Sequence, residues 1–263
     1  MNLFERVRGA KPLIVHVTNL VTINDCANAT LAIGASPVMI DEISEAADMI
    51  AFAGALVLNM GTVNERQFML MQAALQAACI QGIAVVFDPV GAGATPWRQR
   101  VARHLVQSFD ASRGSRLYIK GNAAELSFLA GQASKQKGVD SLQAGDEDAV
   151  RRLAGDSNCI AIATGAVDIT SDGEQVLRFE GGCPEIGEVC GTGCMGASLL
   201  ASLAAVLPAD ADPLEAARAY SFLAKRSAER ARERVAAAFP AACRLPLGSL
   251  RAAFMDELAL IDG

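Results

Sequence analysis

Ile83-Ala84-Val85-Val86-Phe87-Asp88-Pro89-Val90-Gly91-Ala92-Gly93-Ala94-Thr95 is the stretch that decides the fold. Its first five residues are an unbroken apolar run rich in branched side chains, without the polar alternation of a strand that has one wet face. A run this short, bounded by turn residues, reads as a strand buried on both sides. A carboxylate ends it, a glycine-rich loop follows, and residues 97–106 then read as a helix. Strand, glycine loop and helix together make a βα unit, the building block of a parallel sheet.

Working outward, the same pattern repeats. Residues 13–17, 55–58, 117–119 and 159–163 are further short branched runs, and 27–33, 65–81 and 146–153 are Ala-rich amphipathic stretches between them. This alternation predicts right-handed crossovers and a mostly parallel central sheet with helices on both faces. Residues 168–179 differ: Ile169-Thr170, the turn Ser171-Asp172-Gly173 and Val176-Leu177-Arg178-Phe179 predict a hairpin that closes the sheet with an antiparallel edge. After Gly193 the chain reads as helical through Leu207, then over 213–238 and 247–260. No repeat and no Pro/Gly/Ser-rich linker interrupts the 263 residues, which predicts a single α/β domain over 1–263.

At 52% hydrophobic and 20% charged the chain can bury a large core. Its net charge of −6, with no long Lys/Arg run, argues against nucleic acid as a partner. The most apolar stretch, 195–207, stops at Pro208 and falls short of the ~20 residues that span a bilayer. Residues 1–11 alternate charged and apolar side chains and carry no signal-peptide core, so a cytoplasmic protein is expected. Seven scattered cysteines without a CxxC pair fit a reducing compartment better than a disulfide framework or a zinc site. The two histidines, His16 and His104, read as structural, one in an apolar strand and one in a helix.

In open α/β sheets ligands bind beyond the carboxyl ends of the strands. Asp88, followed by its glycine loop, can hold a cation near a phosphate or simply cap a βα turn. In Lys120-Gly121-Asn122-Ala123-Ala124-Glu125, Asn122 and Glu125 have the spacing of a capping box. The functional alternative makes Lys120 a phosphate-facing charge at a strand end and Glu125 a partner of Asp88 around Mg2+. Thr164-Gly165 places a hydroxyl in the same row, or taken by itself is an ordinary strand-to-turn exit. Gly191-Thr192-Gly193-Cys194 opens the apolar helix and leaves backbone N–H groups pointing outward, an anion site reinforced by the helix dipole. A cysteine there is expected to have a lowered thiol pKa; the alternative is that the glycines only permit tight packing and Cys194 is a small buried hydrophobe.

These segments, with Pro12-Leu13, Thr18-Asn19, Gly34-Ala35-Ser36-Pro37-Val38-Met39 and Asn59-Met60-Gly61-Thr62, occur in an order and spacing that resembles the hydroxyethylthiazole kinases of the ribokinase-like superfamily, along nearly the whole chain. The resemblance implies transfer of the ATP γ-phosphoryl group to the primary alcohol of 4-methyl-5-(2-hydroxyethyl)thiazole, in thiamin salvage. It implies that Cys194 stands where most ribokinase-like relatives carry an Asp base, and that Asp88 and Glu125 lie in the Mg2+ region. Lys120, Thr164, Gly191, Thr192 and Gly193 then match nucleotide and phosphate positions, and Asn19, Met39, Gly61 and Gly191 surround the alcohol. A homotrimer with active sites between subunits is also implied.

The chain departs from the family pattern at Lys120 and Cys190, where Arg and Thr are usual, at Ala166, where a carboxylate is usual, and at Val15, where His is usual. A ribokinase-like kinase for another heterocyclic alcohol shares the phosphate motifs, but the Cys in place of Asp argues against it. A Cys-nucleophile hydrolase lacks an evident His partner. A non-catalytic nucleotide sensor has no need of Asp88 and Glu125.

Overall fold

A computed structural model of the chain describes residues 2–131 and 144–261. Its strands are β1 (Leu13–Val17), β2 (Ser36–Met39), β3 (Ala55–Asn59), β4 (Ala84–Asp88), β5 (Leu117–Asn122), β6 (Ile160–Thr164), β7 (Asp168–Ser171) and β8 (Val176–Phe179). They form one sheet in the order β2-β1-β3-β4-β5-β6-β7-β8. All pairings through β6 are parallel, and β7 and β8 add the antiparallel edge that the hairpin pattern predicted.

Helices α1 (Leu3–Ala10), α2 (Ile23–Ala32), α8 (Thr192–Ala204), α9 (Leu214–Ala238) and α10 (Leu247–Leu260) cover one face. The other face carries α3 (Ala46–Ile50), α4 (Glu65–Gln81), α5 (Pro96–Gln107), α6 (Ala123–Leu129) and α7 (Ala144–Ser157). Strand side chains alternate between the two resulting cores, Val57, Val86 and Tyr118 into the first and Leu58, Phe87 and Ile119 into the second. Two residues beyond the first set stand Asn59, Asp88 and Lys120. The same period therefore turns all three toward α8.

That helix is buried on every side from Met195 to Ala204, the mark of a helix inserted in a core. Leu199, Leu200 and Leu203, each completely covered, contribute about 1.5–3 kcal/mol apiece and fix the helix start over the strand ends.

Three features depart from the sequence reading. Strand β2 was not expected: it is four residues long and contains Pro37, tolerated because β2 lies at the sheet edge and pairs only with β1. Helices α1 and α3 were also unread, being short. Strand β5 does not stop with its apolar run at Ile119 but continues to Asn122, because Lys120, Gly121 and Asn122 pair with Ile162, Ala163 and Thr164 of β6. Lys120 is therefore inside the strand. No helix of the described residues is long and apolar enough to cross a membrane.

Candidate active site

The carboxyl ends of β1, β3, β4 and β5 converge on the start of α8. After β1 the chain turns on Asn19, whose Oδ1 accepts the backbone N–H groups of Val21 and Thr22, both at 3.0 Å. This local turn leaves Nδ2 to donate to Thr22 Oγ1 at 2.8 Å and Asn59 Oδ1 at 2.9 Å, with Cys194 Sγ at 3.4 Å. Asn59, the last residue of β3, accepts the N–H of Gly61 on Oδ1 and donates from Nδ2 to Asp88 Oδ2 at 2.8 Å. A side chain at Gly61 would lie 2.8 Å from Asn19 Cβ, so glycine is what lets these amides meet.

Asp88 ends β4 and is 3% exposed. Burial pushes its carboxyl up to about 7; Lys120 and Asn59 oppose the shift and Glu125 adds to it. Glu125 forms the capping box with Asn122, accepting the Asn122 N–H on Oε2 at 2.9 Å while Asn122 Oδ1 accepts the Glu125 N–H at 2.9 Å. Its other oxygen accepts the N–H of Gly91 at 2.8 Å, tying the glycine loop after β4 to α6. The capping reading of Glu125 is thus what the structure shows, with both of its oxygens already accepting a backbone N–H.

Lys120, expected at a strand end, is 2% exposed beneath the first turn of α8, and its Nζ donates to the carbonyl of Gly193 at 2.8 Å. Burial disfavours its charge, but the neighbouring Tyr220, Asp88 and Glu125 outweigh that and hold the ammonium above its ordinary value. Gly196 permits this packing, since a Cβ there would lie 2.6 Å from Tyr220 Oη and 3.1 Å from Lys120 Cε.

The helix start itself has Gly191 at φ +91° as N-cap and no side-chain cap. The N–H groups of the first helical turn therefore lack the side-chain acceptor a capping residue would supply. Thr192 turns its hydroxyl back to the carbonyls of Ile186 and Val189, both at 3.2 Å, so its part in the loop is to brace it. The expected lowering of the Cys194 thiol is not found: burial and then the Asp88 carboxylate push it up, against hydrogen bonding from Thr22 and Asn59. A desolvated thiol beside a carboxylate favours the proton, and that outweighs the helix-terminus argument.

Thr164, at the end of β6, donates its hydroxyl to the Gly121 carbonyl at 3.2 Å and so stands one strand beyond Lys120. Met39 ends β2, half-buried, one strand outside β1. His16 is a core residue, its ring nitrogens at 3.0 Å from the Ile14 carbonyl and Ser198 Oγ.

Three contributors were missed in the sequence. Arg98 of α5 binds the carbonyls of Met60 (2.8 Å) and Val90 (2.7 Å) through Nη1 and that of Gly61 through Nη2, joining the loops after β3 and β4. Lys225 of α9 pairs with Asp168 at 3.2 Å and also binds the carbonyls of Gly165, Ala166 and Gly181, closing the β6–β7 turn. Neither is signalled by a motif: all the partners but Val90 are distant in the chain, and Val90 is bound through its backbone carbonyl. Asn59 did have one: it ends a buried strand in phase with Asp88.

The sequence profile of the Hydroxyethylthiazole kinase family matches residues 4–262. The hydroxyethylthiazole kinase of Methanosphaerula palustris is 47% identical over 197 residues, 74% of this chain and 72% of that protein. The solved hydroxyethylthiazole kinase structure from Pyrococcus horikoshii superposes with a TM-score of 0.79 at 32% identity, covering 99% of this chain and 92% of the other. A ribokinase-like superfamily protein from Enterococcus faecalis, only 11% identical, shares the fold with a TM-score of 0.64 over 94% of this chain and 87% of its own. A profile match over almost every residue, on a ribokinase-like sheet with its motifs gathered at the strand ends, means that this chain belongs to the hydroxyethylthiazole kinase family.

Proposed function

We propose that the cleft over the strand ends transfers the γ-phosphoryl group of ATP to the primary hydroxyl of 4-methyl-5-(2-hydroxyethyl)thiazole, a step of thiamin salvage, with Mg2+ as the cation. The family supplies the reaction class, a kinase. The observation that carries the reading in this chain is the uncapped start of α8, with Gly191 in the left-handed region and Cys194 in contact range of Asn19. Such a helix start binds anions through its N–H groups and its dipole.

The residues present fit a magnesium ion. Asp88 is a buried carboxyl whose ionised form burial disfavours, so a cation would stabilise it. Among the described residues no cluster of three or more His, Cys, Asp or Glu is arranged to cage a metal. Mg2+ needs no such cage, taking one or two carboxylates and completing its shell with phosphates and water. Asp88 and Glu125 would hold it, and when bound it would neutralise charge on the transferring phosphates.

The chain's own residues do the rest. Gly191, Thr192 and Gly193 shape the backbone cradle for the phosphoryl group, and Lys120 braces it from below while adding positive charge. Thr164 lies on the nucleotide side. Asn19, Met39 and Gly61 surround the alcohol, with Gly191 between the two ligands. The new bond joins the alcohol oxygen to the γ-phosphorus as the bond to the bridging oxygen of ADP breaks. In a loose transition state the hydroxyl proton leaves late, so the weakly basic Cys194 suffices as its neighbour.

Leu20 and Val21, directly after Asn19, are 72% and 67% exposed. An apolar loop bared beside the alcohol position supports a homotrimer in which a second copy completes the site. The seven cysteines are all free, in keeping with a reducing, cytoplasmic setting, and the chain is taken as one kinase domain over 1–263. The test is ATP consumption against a panel of heterocyclic alcohols. Turnover should be highest with the hydroxyethylthiazole; preference for a pyrimidine or pyridoxal-type alcohol would instead favour a ribokinase-like kinase of other specificity.

A further inference from the structure

We propose that Asn59 is a positioning residue that holds the alcohol end and the phosphate end of the cleft in register through one buried amide. The proposal rests on the site assignment above. Asn59 is completely buried and lies opposite Asp88 in the β3–β4 register. Its orientation is dictated by the backbone. The Gly61 N–H can only donate, so the atom it meets at 3.0 Å is Oδ1, and Nδ2 must face Asp88. Asn19 is fixed in the same way: Val21 and Thr22 donate to its Oδ1, which leaves Nδ2 toward Asn59.

The two amides therefore donate in one direction, Asn19 to Asn59 and Asn59 to Asp88, while the Asn19 NH2 also faces Thr22 Oγ1 and Cys194 Sγ. An amide has two N–H hydrogens, and Asn19 has three acceptors in range. The two oxygens, Thr22 Oγ1 and Asn59 Oδ1, are closer than Cys194 Sγ and fix the plane of the group. An alcohol arriving beside Cys194 thus meets an amide whose oxygen is held by the Val21 and Thr22 N–H groups and whose NH2 is steered by Thr22 Oγ1 and Asn59 Oδ1.

Residue type at 59 is correspondingly constrained. Aspartate would turn an acceptor toward Asp88, serine is too short to reach across to both Asn19 and Asp88, and an apolar residue takes a hydrogen-bond partner from Asn19, Gly61 and Asp88. Only an amide of this length both accepts from Asn19 and donates to Asp88.

A double-mutant cycle with Asn59→Ala and Asn19→Ala tests this, read as kcat and as separate KM values for ATP and the alcohol. Asn59→Ala should lower kcat/KM for the alcohol between about tenfold and a hundredfold, the usual effect of a misplaced reacting group. Asn19→Ala should add little in the Asn59→Ala background, because the two act as a unit. Asn59→Asp, which keeps the acceptor for Asn19 and Gly61 but loses the donor to Asp88, should return the alcohol KM toward wild type while leaving kcat low. Effects that multiply, or a lower Tm with unchanged kcat and KM, would overturn the positioning role alone. An Asn19→Ala variant with wild-type alcohol kinetics would overturn it by removing the site assignment beneath it. If Asn59→Ala does not fold, Asn59→Ser enters the same cycle with the same expected coupling.

Discussion

Lys120 Nζ lies 2.8 Å from the carbonyl oxygen of Gly193, a bond that joins the interior of β5 to the first turn of α8. A buried ammonium here does two things at once. It anchors the first turn of α8, the proposed anion site, and it balances the carboxylates of Asp88 and Glu125. Arginine, the usual residue of the family at this position, would have to find room where Lys120 Cε already packs near Gly196.

Lys120→Met keeps the stem and removes the charge. It should lower stability by about 1.5–3 kcal/mol, the worth of a charged hydrogen bond, and raise the KM for ATP with the alcohol KM little changed. Calorimetric ATP binding as tight as wild type would remove Lys120 from the phosphate side of the site. Lys120→Arg should alter the ATP KM severalfold, since a fork replaces a point charge.

Asp88 makes the metal-free protein sensitive to pH. Its carboxyl titrates near 7 in the folded chain against an ordinary value of 3.8. A raised folded pKa means that folding favours the protonated form, so the contribution to stability is complete below about pH 4 and is lost as pH rises to about 7. The slope in that window is at most about 1.4 kcal/mol per pH unit. Urea melts without divalent cation should show it in wild type and not in Asp88→Asn; parallel pH curves for the two would mean that Asp88 is not the group responsible.

For Cys194 the raised thiol leads to a modest dependence on the side chain. Cys194→Ser should fold normally and turn over more slowly, because a hydroxyl is harder to ionise. Cys194→Asp should retain or raise turnover by restoring a carboxylate base. Wild-type kcat should climb only in the alkaline range, as pH rises toward and beyond the thiol's ordinary 9.0, a limb that Cys194→Ser lacks. Identical pH–rate profiles for all three proteins would leave Cys194 with no part in proton transfer.

Glu125→Ala removes the capping box, at a cost of about 1 kcal/mol, and also the tether on Gly91. Both a lower Tm and a higher Mg2+ concentration for half-maximal rate are expected. Glu125→Gln keeps one acceptor oxygen, enough for the capping bond or the Gly91 tether but not both, so Tm should fall less than in Glu125→Ala while the Mg2+ requirement is still raised. A Mg2+ dependence unaltered in both variants would confine Glu125 to its structural role.

Arg98→Ala should raise the KM for the alcohol and lower Tm together, because the guanidinium holds Met60, Gly61 and Val90 by their carbonyls. Arg98→Lys offers no fork to span two loops and should recover little of either. Wild-type alcohol KM in Arg98→Ala would show that the Gly61 loop keeps its place without the clamp.

The sequence by itself determined the sheet apart from its edge strand β2, the antiparallel edge, the helix started by Gly191 and the capping box at Asn122. Each is a local pattern: an apolar run of strand length, a turn between branched residues, a glycine pair before an apolar helix, an acid three residues after a cap. Even the placing of Asn59, Asp88 and Lys120 toward α8 follows from period two along strands. Tertiary structure alone decided where β5 ends, since that depends on pairing with β6, and which way the Cys194 thiol shifts, since that depends on desolvation and on Asp88. It also decided that Arg98 joins two loops and that Asn19 meets Cys194, a residue 175 positions away. Hydrogen-bond geometry and local dielectric are set by whichever groups the fold brings together, and no run of neighbouring residues records that.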